Sequence, residues 1–266
     1  MNAINSIFEK YNSLKKEEPN YQDIPLPKKE YCIYFTPRSG STWLTEMLHS
    51  TGVMGYPEEW FNPENIPEML KETKSSSIDH YINSIRRTKK STDGTFGFEI
   101  TFFQMKLIAD NIDFLGSFSK RIVPFYLTRS DFVAQAVSLY KAVSTGYFHS
   151  TQTYNAKNEV KYNGNEIKKW ILHIMQQEWG FEQHFEKSKK KPFRITYEEM
   201  TACPESVVGN IYYYVHKKIM PDTMSVKSEY KPISNRLSEK MAKKFREENE
   251  EFVRHWSLCR GKTKVW

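Results

Sequence analysis

The stretch "YFTPRSGSTWLTEML", residues 34–48, begins as an apolar strand and continues as an amphipathic helix. A short turn rich in hydroxyl groups, residues 37–42, joins the two halves. The start of a helix presents unpaired backbone N–H groups and the positive end of the helix dipole, so a helix that follows a strand directly offers a binding site for an anion. The stretch therefore predicts an anion-binding turn at the carboxyl end of a strand.

The side chains of this turn suit the same purpose. Gly40 permits close approach of the backbone to a ligand or an unusual dihedral angle. Ser39, Ser41 and Thr42 add hydroxyl donors, and Arg38 can form forked, charge-assisted hydrogen bonds to phosphate or sulfate oxygens. The alternative is a serine-capped helix start that binds no ligand.

The turn differs from the loop that binds nucleotide triphosphates, G-x-x-x-x-G-K-[ST]. The first glycine is missing, and Ser41 occupies the position of the lysine that reaches the β- and γ-phosphates. The missing lysine counts against a nucleotide kinase or NTPase, which stays as an alternative. A further alternative is a basic protein without catalytic activity that binds phosphorylated ligands through the same turn.

Apolar strands alternate with helical patterns along the chain, as they do in an α/β protein with a parallel sheet. The predicted strands are 31–36, 95–103, 121–129 and 193–200, the last leading into a turn. The predicted helices are 42–52, 131–144, 167–185, 204–215 and 237–256. Because the run 31–36 is almost continuously apolar, we expect this strand to be buried on both faces of the sheet.

We expect one domain over residues 1–266, with residues 1–30 as a lead-in that contains a short helix. The polar segments 64–93 and 147–165 interrupt the alternating pattern. We predict that these segments are insertions that shape a substrate site, and that the second is a long loop.

The formal net charge of +7 favours anionic partners, although solvated lysines on helix faces explain much of that excess. Nucleic-acid binding is not expected, because the chain has no zinc-finger spacing, RNP motif or basic zipper. Three widely spaced cysteines suggest neither disulfides nor a zinc site, and Cys32 is expected in the core. No apolar run is long enough for a bilayer span or a signal peptide, so a cytoplasmic location is predicted.

The turn resembles a known family. "TPRSGSTWL", residues 36–44, is similar to the loop that binds the 5′-phosphosulfate in sulfotransferases that use 3′-phosphoadenylyl sulfate (PAPS). The resemblance implies that residues 37–42 bind PAPS: Pro37, Arg38, Ser39, Gly40, Ser41 and Thr42. Trp43 matches the tryptophan that stacks on adenine in cytosolic sulfotransferases, and a core position in the helix is the alternative.

A second element of that superfamily binds the 3′-phosphate with an arginine at the end of a strand and a serine on the next helix. "YLTRSDFVAQAVSLYKAV" supplies Arg129 and Ser138. Ser138 lies about two turns into the predicted helix, so both side chains can reach one phosphate near the helix start.

Three stretches narrow the resemblance to the Stf0 branch, and they begin at Arg38, Phe96 and Arg129. The Stf0 stretch G-x-P-x-E-[FWY]-F is matched by residues 55–61, and "ITYEEM" is similar to a Y-E-[DE] turn common in sulfotransferases. The branch implies a P-loop-like α/β sandwich and a homodimer. Glu99 departs from it, because the branch usually has a lysine there.

The resemblance implies a PAPS-dependent sulfotransferase that acts on a hydroxyl of a carbohydrate, glycolipid or other small molecule. Arg38 would stabilise the leaving phosphate, and no metal ion is expected to be needed. Glu59 is the candidate base that accepts the proton of the hydroxyl, with Glu58 as its neighbour. His149 is the rival base, and His49 is expected to be structural.

Overall fold

The computed structural model describes residues 3–12, 19–109, 118, 122–148, 160–229 and 236–263. Its strands are β1 Lys29–Phe35, β2 Thr95–Thr101, β3 Val123–Thr128 and β4 Phe193–Thr196. The helices are α1 Ala3–Asn12, α2 Ser41–Ser50, α3 Ile66–Thr73, α4 Ile78–Thr88, α5 Phe102–Ala109, α6 Phe132–Thr145, α7 Gly164–Ser188, α8 Tyr197–Ala202, α9 Pro204–His216, α10 Arg236–Glu248 and α11 Glu250–Thr263.

The four strands form one sheet in the order β2-β1-β3-β4, and every neighbouring pair is parallel. The predicted α/β fold with a parallel sheet flanked by helices is confirmed. The chain runs from β1 to β2 on one side and then crosses to β3 on the other side. The direction of crossing therefore reverses between β1 and β3, and ligands of open α/β sheets bind at the carboxyl ends of the strands at such a switch point.

β1 is buried on both faces, as its continuous apolar run predicts. Tyr31, Ile33 and Phe35 point into the core on one side of the sheet, with the apolar side chains of α2 and α9. Cys32 and Tyr34 point into the core on the other side, with the aromatic side chains of β2 and α7. Helices therefore cover both faces, and the anion-binding turn follows the most enclosed strand of the sheet.

Two predicted strands are too long, because capping interactions start helices inside them. Thr101 ends β2, since its hydroxyl accepts the amide N–H of Gln104 and its own amide donates to the Gln104 side chain. Thr196 ends β4 through a capping box with Glu199, in which each side chain accepts the other residue's backbone N–H. The predicted turn after β4 is therefore the short helix α8.

The predicted single helix over 237–256 is two helices. α10 ends at Glu248 and α11 begins at Glu250, so the break lies at Asn249. The side-chain amide of Asn249 donates to the carbonyl of Phe245, and its own carbonyl accepts the amide of Val253. Asn249 thus ends one helix and starts the next, which turns α11 onto α7.

The polar segment 64–93 contains α3 and α4, and it contributes to the core as well as to the surface. Its buried side chains join the cluster on the β2 side: Ile66, Leu70, Tyr81, Ile82 and Ile85. Of the segment 147–165, residues 149–159 lie outside the described residues, and α7 begins at Gly164. Among the described helices, none has the length and apolar character that a membrane span requires.

Candidate active site

Two residues in the left-handed region shape the turn after β1. Arg38 has a φ of 66° and Gly40 a φ of 89°. A Cβ atom on Gly40 would lie 2.7 Å from the ring of Tyr197 and 2.8 Å from the side chain of Met200. Gly40 is therefore required both by its backbone conformation and by the close packing of α8 against the turn.

Gln135 on α6 fixes the backbone of the turn from the other side. Its amide nitrogen donates to the hydroxyl of Thr36 at 2.9 Å and to the carbonyl of Pro37 at 2.8 Å. Gln135 is fully buried. The sequence analysis missed this residue, although a glutamine on the apolar side of a helix, one turn before Ser138, is a signal that could have indicated it.

The three basic and hydroxyl residues predicted for the donor site come together. The Nε–H of Arg38 donates to the hydroxyl of Ser138 at 3.0 Å, and its NH1 donates to the carbonyl of Phe148. Burial lowers the pKa of Arg38, and the positive charge of Arg129 lowers it further. Two guanidinium groups thus lie near each other at the switch point between β1 and β3, an arrangement that an anion would stabilise.

Two buried donors at this place have no hydrogen-bond partner among the described residues. One is the Nε of Arg129, whose guanidinium carbon lies 4.4 Å from the centroid of the Tyr197 ring. The other is the hydroxyl of Ser39, a residue with no exposed surface. Because unpaired buried donors are costly, these two atoms fit an anionic ligand with several acceptor oxygens.

The carboxyl end of β3 is held by the last described helix. Arg260 on α11 donates to the carbonyl of Arg129 at 2.6 Å and to that of Ser130 at 2.8 Å. The same guanidinium forms a buried ion pair with Glu178 of α7, at distances of 2.5 and 2.7 Å. Arg260 therefore positions the backbone of Arg129. The sequence analysis missed it because no motif surrounds it.

Glu198 on α8 holds the start of α6. Its carboxylate accepts the amide N–H groups of Ser130 and Asp131 at 2.9 and 3.2 Å. Burial alone would raise the pKa of Glu198, but the hydrogen bonds from these amides lower it below its ordinary value. The "YEE" turn thus serves the site structurally, with Tyr197 under Arg129 and Glu198 on the following backbone.

The segment 55–61 returns along the edge of the sheet. The carbonyl of Glu58 accepts the amide N–H of Glu99 at 3.0 Å, and Glu58 forms a parallel bridge with Phe98 of β2. Gly55 has a φ of 75°, and a Cβ atom there would lie 2.6 Å from the carbonyl oxygen of Thr95. The segment therefore brings Glu59 back toward the start of α2.

A cavity of about 410 Å³ lies between α2 and this returning segment. Its walls contain ten residues: Thr42, Thr45, Glu46, His49, Tyr56, Pro57, Glu58, Glu59, Asn65 and Glu99. Thr42 belongs to the anion-binding turn, so the cavity adjoins the proposed donor site. The candidate base Glu59 lines the same cavity.

Glu59 is fixed by two amides. Its Oε2 accepts hydrogen bonds from Gln104 at 2.5 Å and from Asn62 at 3.0 Å. Burial raises the pKa of Glu59, while these two hydrogen bonds act in the opposite direction. A carboxylate that is oriented and partly desolvated in this way can accept a proton from a hydroxyl group nearby.

Glu99 lies deeper than Glu59 in the same cavity and is 4% exposed. The Oε2 of its carboxyl group is buried and has no hydrogen-bond partner among the described residues. Burial raises the pKa of Glu99 well above its ordinary value, and the nearby Glu59 raises it further. Sequence analysis singled out Glu99 only as a departure from a family pattern.

Four further residues were considered in the sequence analysis: Trp43, His49, Glu58 and His149. Trp43 is partly buried and packs against the core cluster on the α2 side. His49 is exposed, its ring lies 3.7 Å from that of Tyr56, and both line the cavity. Glu58 is exposed at the rim. His149 lies outside the described residues.

The part of the chain that the structure describes contains no group of three or more histidine, cysteine, aspartate or glutamate side chains arranged to hold a metal ion.

Comparison with known proteins gives one family model and two similar proteins. The family model described as Stf0 sulphotransferase matches residues 30–248. Trehalose 2-sulfotransferase of Mycolicibacterium smegmatis is 25% identical over 224 residues, which cover 68% of this chain and 82% of the relative. Trehalose 2-sulfotransferase of Mycobacterium tuberculosis is 23% identical over 224 residues, which cover 69% of this chain and 84% of the relative.

Among solved structures, the crystal structure of retinol dehydratase in a complex with retinol and PAP matches 76% of this chain. The match covers 64% of the retinol dehydratase chain, with a TM-score of 0.38 and 15% sequence identity.

Proposed function

Because the chain belongs to the Stf0 sulphotransferase family and is a sulfotransferase, we propose that it moves the sulfuryl group of PAPS to a hydroxyl of a carbohydrate, a glycolipid or another small molecule. The observation that carries the proposal is the arrangement of groups at the start of α2. Arg38, Arg129 and the unpaired hydroxyl of Ser39 lie there, and the cavity that contains Glu59 adjoins it.

In this proposal the turn binds the 5′-phosphosulfate end of PAPS. The backbone N–H groups at the start of α2, the guanidinium of Arg38 and the hydroxyls of Ser39, Ser41 and Thr42 are the donors. Arg129 and Ser138 bind the 3′-phosphate. The Nε of Arg129 and the hydroxyl of Ser39 support an anion at this place, since both are buried donors without a partner among the described residues. Trp43 is proposed to contact the adenine.

The reaction needs in-line geometry and charge stabilisation rather than covalent chemistry by the protein. The acceptor oxygen attacks sulfur and forms the new S–O bond. The bond between sulfur and the oxygen of the 5′-phosphate breaks, and its electron pair stays on adenosine 3′,5′-bisphosphate. Glu59 accepts the hydroxyl proton, and Arg38 stabilises the negative charge that develops on the leaving phosphate.

The acceptor is proposed to enter through the cavity between α2 and the returning segment. A volume of about 410 Å³ is in the range of pockets that hold small molecules. The two mycobacterial relatives are named trehalose 2-sulfotransferases, which makes a carbohydrate the first class of acceptor to test. Asn65 is the residue of the segment 64–93 that lines this cavity, and it is proposed to contact the acceptor.

The proposal is tested with radiolabelled PAPS and a panel of hydroxyl acceptors that includes trehalose, simple glycosides and glycolipids. Transfer of label to at least one acceptor, dependent on Glu59, is the expected result. Release of label to water alone, or transfer that is unaffected by Glu59→Gln, would argue against the assigned roles.

A nucleotide kinase is the enzyme alternative, and a binding protein without activity is the other. Position 41 is a serine rather than the lysine that contacts the β- and γ-phosphates in loops that bind nucleotide triphosphates, which counts against the kinase. A homodimer, a cytoplasmic location and independence from metal ions stay predictions.

A further inference from the structure

The amino ends of the strands carry lysines that the proposed reaction does not use. In a parallel sheet the helices run back along the strands, so the ends of α7 and α9 lie at the amino ends of the strands. Lysines flank these ends and the start of β1, and they are Lys28, Lys29, Lys189, Lys190, Lys191, Lys217 and Lys218. Residues that are distant in the sequence therefore share one end of the molecule, which we call the amino-end surface.

Three contacts bring the parts of this surface together. The Nζ of Lys29 donates to the Nδ1 of His216, the last residue of α9, at 2.9 Å. The ring of Tyr214 on α9 lies 4.6 Å from that of Phe193, the first residue of β4. The Nζ of Lys217 lies 5.6 Å from the centroid of the Tyr214 ring. The starts of β1 and β4 thus lie beside the end of α9.

Large apolar side chains are exposed on the same surface. Ile219, which directly follows Lys218, is 86% exposed, the largest fraction among the exposed large apolar side chains of the described residues. Tyr213 and Tyr214 are 50% and 38% exposed. Apolar side chains that enter the hydrocarbon, tyrosines at the level of the headgroups and a cluster of lysines together form the composition of a surface that binds a bilayer.

The charge of the amino-end surface favours an anionic partner. Asp93 lies 3.8 Å from the Nδ1 of His216, and Glu186 and Asp222 are within a few residues of the lysines, but these carboxylates are fewer than the lysines. Lysine is depleted in protein–protein interfaces, and the sequence has no zinc-finger spacing, RNP motif or basic zipper. An anionic lipid surface therefore fits better than an acidic protein or a nucleic acid.

We propose that the amino-end surface binds peripherally to a bilayer that contains anionic lipids, with Ile219 inserted among the headgroups. The lysines attract the anionic headgroups, and Tyr213 and Tyr214 contact the interface. The donor turn and the cavity follow the carboxyl ends of the strands, so they lie at the opposite end of the sheet and stay open to the solution. No residue of the donor site or the cavity belongs to this surface, so its binding does not depend on the proposed function.

The test is co-sedimentation, at low salt, with vesicles of phosphatidylcholine alone or of phosphatidylcholine and phosphatidylglycerol in equal parts. The wild type should bind the mixed vesicles and not those of phosphatidylcholine, and salt should weaken the binding. Lys191→Gln/Lys218→Gln should bind the mixed vesicles about 10- to 100-fold more weakly, the loss expected for two lysines at an anionic surface. Ile219→Ser should bind them about 10-fold more weakly, because the inserted apolar side chain is lost.

Lys243→Gln/Lys244→Gln is the matched control, because it removes the same charge from two exposed lysines of α10. Lys244 lies 4.5 Å from the centroid of the Tyr162 ring, near the start of α7 and thus at the other end of that helix. The control should bind the mixed vesicles as the wild type does. All the substituted positions are exposed, so the variants should fold normally.

Three results would overturn the proposal. The first is a wild type that does not sediment with the mixed vesicles, or that sediments equally with phosphatidylcholine vesicles. The second is an equal loss in the two lysine pairs, which would show that the net charge of the protein, and not this surface, attracts the vesicles. The third is unchanged binding of Ile219→Ser, which would show that Ile219 does not insert.

Discussion

The Nε–H of Arg38 donates to the hydroxyl of Ser138 across 3.0 Å, which joins the turn after β1 to the helix after β3. The two residues are 100 positions apart in the chain. They meet because β1 and β3 are neighbours in the sheet although β2 lies between them in the sequence. The contact lies at the switch point of the sheet, where we propose that PAPS binds.

Replacing Arg38 with alanine should weaken PAPS binding by about 10- to 100-fold, because a hydrogen bond to a charged group is lost. Transfer should slow as well, since Arg38 is proposed to stabilise the leaving phosphate. Arg38→Lys keeps the charge without the forked geometry and should retain part of the affinity. Calorimetry and initial rates measure the two effects. Unchanged affinity and rate in Arg38→Ala would remove Arg38 from the site.

Arg129→Ala and Ser138→Ala should weaken binding of adenosine 3′,5′-bisphosphate far more than binding of 5′-AMP. The reason is that their proposed contact is with the 3′-phosphate alone. Ser144→Ala is the matched control, because Ser144 is an exposed serine of the same helix. The Ser144→Ala protein should bind both ligands as the wild type does. Equal losses for the two nucleotides would contradict the assignment.

Glu59→Gln should lower turnover by about 10²- to 10⁴-fold, the usual contribution of a general base. PAPS affinity should change little, because Glu59 is proposed to contact the acceptor rather than the donor. Glu58→Gln is the control and should be nearly silent in both assays. A fully active Glu59→Gln enzyme would end the assignment, and His149 would then be tested as the base.

The role proposed for Glu59 also predicts how the rate of transfer depends on pH. A base works in its deprotonated form, so the rate should rise as the pH increases through the pKa of Glu59. Burial raises that pKa, so the rise should occur above the pH range of an ordinary glutamate. The profile of kcat against pH in the wild type and in Glu59→Gln checks this. A profile of the same shape in both proteins would show that another group titrates.

Arg260→Ala should lower the free energy of unfolding by about 3–5 kcal/mol, because it leaves the buried carboxylate of Glu178 unpaired. Urea denaturation measures the loss. Arg254→Ala, an exposed arginine of the same helix, should change stability by less than about 0.5 kcal/mol. Equal stabilities of the two variants would show that the ion pair with Glu178 contributes nothing.

The sheet and the donor turn could be predicted because their signals are local. A continuous apolar run and a hydroxyl-rich turn before an amphipathic helix specify β1 and the start of α2 within a few residues. The place of Ser138 about two turns into α6 follows from helical periodicity, whereas its grouping with Arg129 comes from the family resemblance. The roles of these residues in PAPS binding stay predictions.

The remaining residues of the candidate site depend on contacts between distant parts of the chain, which no local sequence pattern encodes. Gln135 and Arg260 act on backbone groups of distant turns, so their importance appears only when α6 and α11 are placed. The proximity of Glu99 to Glu59 requires segment 55–61 to pair with β2, which spacing alone does not predict. The error at Thr101 arose because apolar residues continue past the cap into α5, and the error at Thr196 arose because the capping box with Glu199 was not recognised.

The most direct test of the central claim is a calorimetric comparison of adenosine 3′,5′-bisphosphate with ATP as ligands of the wild-type protein. If the turn and Arg129 form a site for a 5′-phosphosulfate and a 3′-phosphate, the bisphosphate should bind tightly and ATP should bind much more weakly. Arg129→Ala should remove most of that difference. ATP binding as tight as or tighter than bisphosphate binding would contradict the account.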